Sequence, residues 1–291
     1  MSVKPVNVGI CGLGTVGSGT FNVLARNAAS IAARAQAPVR VVHVGARRDN
    51  PACELGDVRV SRDIFAVARD PEVDIVVELI GGTTVARELV ELALDSGKHV
   101  VTANKALIAE FGNDLFAQAE SRGVTICYEA AVAGGIPIIK ALREGLAANH
   151  IDWIAGIING TGNFILTEMR DKGRDFDDVL REAQQLGYAE AVPDADVLGW
   201  DALAKVTILA NVVFGASLAP DDSPCTGITE ISPADIEAAA SEGKRHKLIG
   251  RVWRDGGTVR ASVEPQLVDL DQRGAGAPGD AAAARANLGC N

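Results

Sequence analysis

The stretch that decides the fold is VKPVNVGICGLGTVGSGTFNVLARN, residues 3–27. Its first part, VKPVNVGIC, is mostly apolar and predicts a buried strand of a parallel sheet. Gly12, Gly14 and Gly17 follow in a GxGxxG pattern, and SGTFNVLARN then predicts a helix. A GxGxxG between a strand and a helix is typical of a dinucleotide-binding unit, whereas a merely Gly-rich turn is the simpler alternative. In such a unit the three glycines allow a tight turn, close approach of a pyrophosphate and close helix packing.

Strand and helix patterns continue to alternate after this unit. Apolar runs predict strands at 38–48, 73–80, 98–103 and 124–132, with helical patterns between them. The sequence therefore predicts a Rossmann-type, doubly wound parallel sheet, and ligands bind such sheets at the carboxyl ends of the strands.

A second region begins near residue 149. It holds a short strand, several helices and an alternating hairpin joined by Asp255-Gly256-Gly257. We expect an α/β chain with a dinucleotide-binding domain over 1–148 and an α+β substrate and dimerisation domain over 149–268. Residues 269–291 form an Ala/Gly-rich tail, to which we assign no secondary structure.

The composition excludes several classes of protein. The chain has 291 residues, 47% of them apolar, and a net charge of −10, which argues against nucleic acid and anionic membrane surfaces as partners. The five cysteines show no CxxC spacing, which favours a reduced, cytoplasmic protein without structural zinc. No run is long and apolar enough for a membrane span, and the N-terminus lacks a signal-peptide pattern.

The second predicted strand ends without the acid that NAD-specific folds use for the ribose 2′-hydroxyl. Ala46, Arg47 and Arg48 stand there instead. Two guanidinium groups suit a 2′-phosphate, so the pattern favours NADP, with NAD as the alternative cofactor. A pair of solvated loop arginines is the alternative that involves no ligand.

A cluster of charged residues lies in GYAEAVPDADVLGWDALAK, residues 187–205. Asp201 and Lys205 are four apart at the start of a predicted helix and therefore share one face. A carboxylate and an amine at such a junction can hold a small zwitterion and transfer a proton. The alternative is a surface ion pair worth about 0.2–0.5 kcal/mol.

Two other charged residues follow predicted strands. Lys105 can reach a nicotinamide or substrate at the sheet edge, or can belong to a helix cap. Glu129, before the turn at Gly134-Gly135, can join loop carbonyls around a hard cation, or can be a buried or capping glutamate.

Several separated motifs together resemble the homoserine dehydrogenase family: GLGTVG, VELIGG, TANKALIA, YEAAVAGGIPIIK, IINGTGNFIL and GYAEAVPDADVLGWDALAK. The resemblance covers about residues 5–265. It implies NAD(P)H-dependent interconversion of L-aspartate 4-semialdehyde and L-homoserine, in the biosynthesis of threonine, methionine and isoleucine. It also implies a homodimer and a small-molecule substrate.

The resemblance assigns roles by motif. It implies that Lys205 is the catalytic acid and base, and that Glu190, Asp201 and Lys105 bind the substrate. The cofactor-binding residues it implies are Gly12, Leu13, Gly14, Thr15, Val16, Gly17, Arg47, Arg48, Thr102, Ala103, Lys105 and Gly187. The sodium ligands it implies are Glu129 and the carbonyls of Val132, Gly134 and Ile136.

The chain departs from the family pattern at a few positions. Gly162 stands where the family usually has Thr, and Val192 where it usually has Asp. The tail replaces the family's usual segment, and no regulatory ACT domain follows, so we expect no feedback control through one. Two alternatives remain open: a related oxidoreductase acting on another small amino acid or semialdehyde, and an NADP-binding protein with weak catalysis.

Overall fold

The computed structural model describes residues 3–270. The chain divides into two compact units, the first ending at Gly134 and the second beginning at Gly135. The predicted domain boundary lies later, after residue 148, so the intervening segment belongs to the second unit. Among the described residues, no helix is long and apolar enough to span a membrane.

The first unit is built on one parallel sheet of six strands in the order β3-β2-β1-β4-β5-β6. This order confirms the predicted doubly wound class. The strands β1 to β6 are Val6–Cys11, Val39–Gly45, Arg59–Ser61, Ile75–Glu78, His99–Thr102 and Ile126–Cys127. The helices α1 to α5 are Thr15–Arg26, Ala28–Ala35, Ile64–Arg69, Thr84–Asp95 and Lys105–Ser121.

Three details of the first unit differ from the sequence prediction. The edge strand β3 was not predicted, because three residues are too few to show an alternating pattern. Strand β6 has only two residues, and Glu129–Ala131 forms a 3₁₀ turn where a strand was expected. The helix α5 begins at Lys105, earlier than the predicted helix over 114–123.

The turn between β1 and α1 has the tight geometry that its glycines predict. Gly12 has φ +101°, and a Cβ there would lie 2.6 Å from the carbonyl oxygen of Leu79. A Cβ at Gly17 would lie 1.9 Å from the carbonyl oxygen of Gly12. A larger residue at Gly12 would therefore clash with the chain that follows β4, and one at Gly17 would push α1 away from the end of β1.

The second unit is built on an antiparallel sheet in the order β7-β8-β9. Its strands are Trp153–Gly156, Lys244–Asp255 and Thr258–Asp269. Its helices α6 to α11 are Ile138–Lys140, Gly160–Lys172, Phe176–Gln185, Asp194–Val197, Trp200–Phe214 and Pro233–Ser241. A π-helical turn, Ala141–Gly145, directly follows α6.

The hairpin of β8 and β9 confirms the predicted Asp-Gly-Gly turn. Asp255 pairs with Thr258 across the two-residue connection, and the pairing continues without a shift to Lys244 and Asp269. The first strand starts earlier than predicted, because Lys244–Lys247 belong to it rather than to α11. Of the predicted tail, residues 271–291 lie outside the described residues.

Candidate active site

The amino end of α1 faces open space at the carboxyl edge of the parallel sheet. Gly14 is the N-cap residue and is exposed. A Cβ added at this position would have no neighbouring atom within 4 Å. No side chain caps this helix, so its first N–H groups are available to an anion. These features fit the pyrophosphate role predicted for the glycine-rich loop.

The other loop residues differ in what they can offer a cofactor. Leu13 is 7% exposed and packs in the core with Val8 and Ile10, and its carbonyl accepts a hydrogen bond from Asn50. Only the Leu13 N–H is therefore suited to binding a ligand. Thr15 and Val16 are exposed in the first turn of α1.

A buried carboxylate that the sequence reasoning missed organises the next part of this edge. Glu78, at the end of β4, is fully buried and accepts hydrogen bonds from the N–H groups of Ile80 and Gly81, at 2.9 and 3.2 Å. Its other oxygen accepts the hydroxyl of Thr102 at 2.6 Å. Thr102 thus uses its side chain to join β5 to β4. The sequence did offer a signal for this residue, because Glu78 is the acid of the motif VELIGG.

Lys105 begins α5 and is half-buried, but it does not cap the helix. Asn104 is the N-cap, with its side-chain oxygen accepting from the Leu107 N–H. Its amide group also donates to the carbonyl of Gly82 at 2.7 Å. A cation in the first turn opposes the helix dipole, commonly at about 0.3–1 kcal/mol, so helix stability does not explain Lys105. Ala103 is half-buried beside it.

The predicted arginines follow β2, and the structure adds a third. Arg47 and Arg48 are exposed just beyond the end of the strand. Arg62 was missed because it follows the unpredicted strand β3. Its guanidinium donates to the Ala46 carbonyl at 3.1 Å and, through Nη2, to both oxygens of Asp49 at 2.9 Å. The acid nearest this strand end is therefore already held by an arginine.

In the second unit, Asp201 and Lys205 form the predicted pair, and it is not a surface ion pair. Their side chains are 7% and 17% exposed, and Nζ of Lys205 lies 2.6 Å from Oδ2 of Asp201. Nζ also donates to the carbonyl of Ile158 at 2.8 Å. The amine is thus held by two acceptors at the start of α10, where it can give or take a proton.

Asn159 is a further residue at this pair that the sequence reasoning missed. It is 3% exposed, and its Nδ2 donates to Oδ2 of Asp201 at 2.9 Å and to Oδ1 of Asp196 at 2.7 Å. Its Oδ1 accepts from the Gly162 N–H at 2.7 Å, which caps α7. Asparagine is a common cap, and that signal was available, but the partners lie tens of residues away.

Asn163, one turn further along α7, joins that helix to the hairpin. Its side-chain oxygen accepts from the Leu248 N–H at 3.0 Å, and its amide group donates to the Leu248 carbonyl at 3.2 Å. The amide also donates to the Asn159 carbonyl at 3.0 Å. The position of α7 relative to β8 is therefore fixed by side-chain hydrogen bonds.

The loop that holds Gly187 and Glu190 is fastened to the same helix. Thr161 donates to the Tyr188 carbonyl at 2.8 Å, and the Tyr188 ring lies 5.1 Å from that of Phe164. Gly187 has φ +77° after α8, as the predicted C′ residue. Glu190 is exposed, and none of the described hydrogen bonds or ion pairs joins its carboxylate to Lys205.

The residues predicted for sodium lie near the end of the first unit and at the start of the second. Glu129 starts the 3₁₀ turn and is half-buried, Val132 is buried, and Gly134 ends the first unit, whereas Ile136 belongs to the second. Within residues 3–270, no group of three or more His, Cys, Asp or Glu side chains could hold a metal ion. The predicted sodium site has one carboxylate and three backbone carbonyls, so the absence of such a side-chain group within residues 3–270 does not test it, and the site stays a prediction.

Comparison with known proteins identifies the family. A family model described as homoserine dehydrogenase matches residues 137–287, more than half of the chain. A second model, described as the NAD binding domain of homoserine dehydrogenase, matches residues 12–129. The homoserine dehydrogenase of Pseudomonas aeruginosa is 57% identical over 93% of this chain and 62% of its own length. That of Neisseria gonorrhoeae is 47% identical over 91% of this chain and 61% of its own length.

Solved structures agree with this assignment. A homoserine dehydrogenase from Thiobacillus denitrificans shares 52% identity with a TM-score of 0.90, over 94% of this chain and 64% of that chain. A hyperthermophilic archaeal homoserine dehydrogenase in complex with NADPH shares 27% identity with a TM-score of 0.77, over 94% and 85%. This chain spans about three fifths of the length of the curated relatives above. It belongs to the homoserine dehydrogenase family, as its motifs predict.

Proposed function

We propose that this protein is an NADP-preferring homoserine dehydrogenase, which interconverts L-aspartate 4-semialdehyde and L-homoserine. The observation that carries the proposal is the buried Lys205–Asp201 pair, in which the amine is held at 2.6 Å from the carboxylate and 2.8 Å from the Ile158 carbonyl. A buried amine with fixed acceptors is suited to proton transfer at a defined point, unlike a solvated lysine.

Lys205 supplies the proton of the reaction. Bound NADPH supplies hydride to the aldehyde carbon. The oxygen of that aldehyde becomes negative, and the Lys205 ammonium both stabilises this charge and donates a proton to it, giving the alcohol. In the direction of homoserine oxidation, the neutral amine of Lys205 accepts the hydroxyl proton.

Carboxylates of the second unit anchor the substrate. The substrate carries an ammonium group, and Asp201 and Glu190 offer negative charges on α10 and on the loop fastened to α7. Holding the ammonium fixes the orientation of the reacting carbon, which lowers the entropic part of the barrier. Lys105 at the sheet edge is assigned to the substrate and the nicotinamide.

The first unit holds the cofactor. The N–H groups at the start of α1 take the pyrophosphate, and Thr102 and Ala103 are assigned to the rest of the cofactor. The family resemblance also assigns Gly187, a residue of the second unit, to the cofactor. Arg47 and Arg48 support NADP, because a guanidinium pairs well with a 2′-phosphate. The Asp49 carboxylate, which could favour NAD, is already held by Arg62. The similar archaeal enzyme was solved with NADPH.

Three further assignments belong to this proposal. The protein is a cytoplasmic homodimer, as the family resemblance implies, and it serves the biosynthesis of threonine, methionine and isoleucine. A sodium ion, where bound, is held by the Glu129 carboxylate and the carbonyls of Val132, Gly134 and Ile136. An oxygen-only ligand set with a single negative charge fits a hard monovalent cation.

The experiment that tests the proposal measures reduction of NADP by L-homoserine, through the absorbance of the reduced nicotinamide. We expect turnover with the wild-type protein and a loss of roughly 10²-fold or more in Lys205→Ala, with cofactor binding retained. Lys172→Ala is the matched control, because Lys172 is an exposed lysine of the same unit, paired with Glu168. The wild-type protein could instead show no turnover while NADP still raises its melting temperature. That result would mean that the protein binds NADP but is not a homoserine dehydrogenase.

A further inference from the structure

The amide of Asn159 lies where two carboxylates and a helix end meet. Both hydrogens of Nδ2 are used, one for Asp196 of α9 and one for Asp201 of α10. The side-chain oxygen accepts from the Gly162 N–H, which fixes the orientation of the amide. A residue that is 3% exposed thus joins the starts of three helices.

Asn159 and Lys205 share one oxygen atom. Oδ2 of Asp201 accepts from Nδ2 of Asn159 at 2.9 Å and from Nζ of Lys205 at 2.6 Å. The carbonyl that holds Nζ from the other side belongs to Ile158, the residue next to Asn159. Both acceptors of the lysine therefore depend on the position of Asn159.

We propose that Asn159 is a positioning residue, which sets the place and the charge of the Lys205–Asp201 pair. A neutral donor holds the Asp201 carboxylate without adding a charge. An acid at this position would add a third carboxylate beside Asp196 and Asp201, and a base would compete with Lys205 for Asp201. The amide is the group that meets both requirements. The proposal rests on the proposed function, because it concerns the same lysine.

Apolar side chains also pack around the start of α10. On β8, Gly250 leaves room for the side chains of Val206 and Ile158, since a Cβ there would lie 2.6 and 2.9 Å from them. On β9, Val263 approaches Gly199 at the start of α10. Among the hydrogen bonds described for residues 3–270, the carboxylates that meet at Asn159 and Lys205 are Asp201 of α10 and Asp196 of α9, and the Cys225 thiol lies near Gly199 at the start of α10.

The alternative is that Asn159 serves only as the N-cap of α7, a role worth about 1 kcal/mol. Asn159→Ser separates the two roles, because serine is an equally good cap but is too short to reach both carboxylates. We expect this variant to keep the wild-type melting temperature within a few degrees and to lose roughly 10-fold or more in kcat/KM for homoserine oxidation. Full activity in Asn159→Ser would overturn the proposal.

Asn159→Asp tests the charge. A third carboxylate, where it is ionised, adds negative charge beside the Lys205 ammonium and favours that form. Homoserine oxidation needs the neutral amine, so the acidic limb of the pH–rate profile should move to higher pH. A purely structural role would lower stability and leave this limb in place. Asn163→Ala, on the same helix and bonded to Leu248, is the control expected to lose stability without moving the limb.

A measurement that does not depend on turnover distinguishes the positioning role of Asn159 from the proposed homoserine dehydrogenase activity. Titration of the Lys205 side chain by carbon-detected NMR, in wild type and Asn159→Asp, reads the pKa directly. An unchanged titration midpoint would overturn the positioning role, whatever the substrate is. A shifted midpoint in a protein that does not oxidise homoserine would sustain the positioning role and reject the proposed function.

Discussion

Replacing Lys247 with methionine should stabilise the second unit at neutral pH. Lys247 lies on β8, is 4% exposed, and its Nζ donates to the Thr167 hydroxyl at 2.9 Å. Burial, and then the positive charges of Arg170 and Arg245, lower the pKa of its ammonium from 10.5 to about 8. Keeping this ammonium charged in the folded state therefore lowers the free energy of unfolding.

The size of the effect follows from that pKa. A difference between 10.5 and about 8 corresponds to about 3 kcal/mol of lost stability when the lysine is charged in both states. Methionine has a similar volume but gives up one hydrogen bond, worth about 1 kcal/mol. The hydroxyl of Thr167 stays satisfied, because it donates to the Asn163 carbonyl at 2.7 Å. The expected net gain at pH 7 is therefore about 2 kcal/mol.

The pH dependence gives the sharper test. Between about pH 8 and pH 10.5 the unfolded chain keeps a proton on Lys247 that the folded protein has released. The free energy of unfolding contributed by this group therefore rises with pH across that window, and the penalty is complete below it. The advantage of Lys247→Met should be largest at pH 7 and should disappear near pH 10.

Urea unfolding of both proteins at pH 7 and pH 10 measures this difference. Lys244→Met is the control on the same strand, because Lys244 is half-exposed and pairs with Glu242 at 3.0 Å. That variant should change stability little, and equally at both pH values. A Lys247→Met variant that is less stable than wild type at pH 7, or whose advantage is the same at both pH values, would refute the burial penalty assigned to Lys247.

The remaining predictions concern the first unit. Gly17→Ala should abolish the rise in melting temperature caused by NADP, because its Cβ would lie 1.9 Å from a carbonyl oxygen, whereas Gly19→Ala, in open space on the same helix, should not. Glu78→Gln should lower the free energy of unfolding by about 1–3 kcal/mol, because an amide cannot accept all three hydrogen bonds made to the carboxylate; an unchanged urea midpoint would contradict this. Arg47→Ala should weaken NADP much more than NAD in a titration, and equal weakening would mean that the guanidinium does not contact the 2′-phosphate.

Much of the fold is encoded in short-range patterns. The apolar run before Gly12 and the glycines after it predicted β1, the tight turn and α1, because that unit is specified by neighbouring residues. The edge strand β3 could not be predicted, since Arg59–Ser61 is too short to show a pattern and is recognisable only by its pairing with β2. Gly112 lies in the middle of α5, where Ile108 and Phe116 pack around it, so a glycine is tolerated inside this helix.

The candidate site shows the same limit. Asp201 and Lys205 were found because their four-residue spacing places them on one helix face. Asn159 and Glu78 were not assigned roles, because their partners come from other elements. Asn159 meets Asp201 only after α7 and α10 have packed, and no local spacing reports that contact. Whether the pair was buried or solvated was likewise undecided until the Ile158 carbonyl was seen beside Lys205.

The amide of Asn163 has a consequence for how the second unit reaches its native state. It bonds to both backbone groups of Leu248 and to the carbonyl of Asn159. A slip of β8 by one residue would turn those groups to the opposite side, and the amide would lose both partners on the strand. A chain with this slipped register would therefore leave backbone groups of β8 unpaired. It would also free Asn159 and the Ile158 carbonyl that accepts from Lys205. Correct register of the hairpin and correct placement of Asn159 therefore depend on the same side-chain amide.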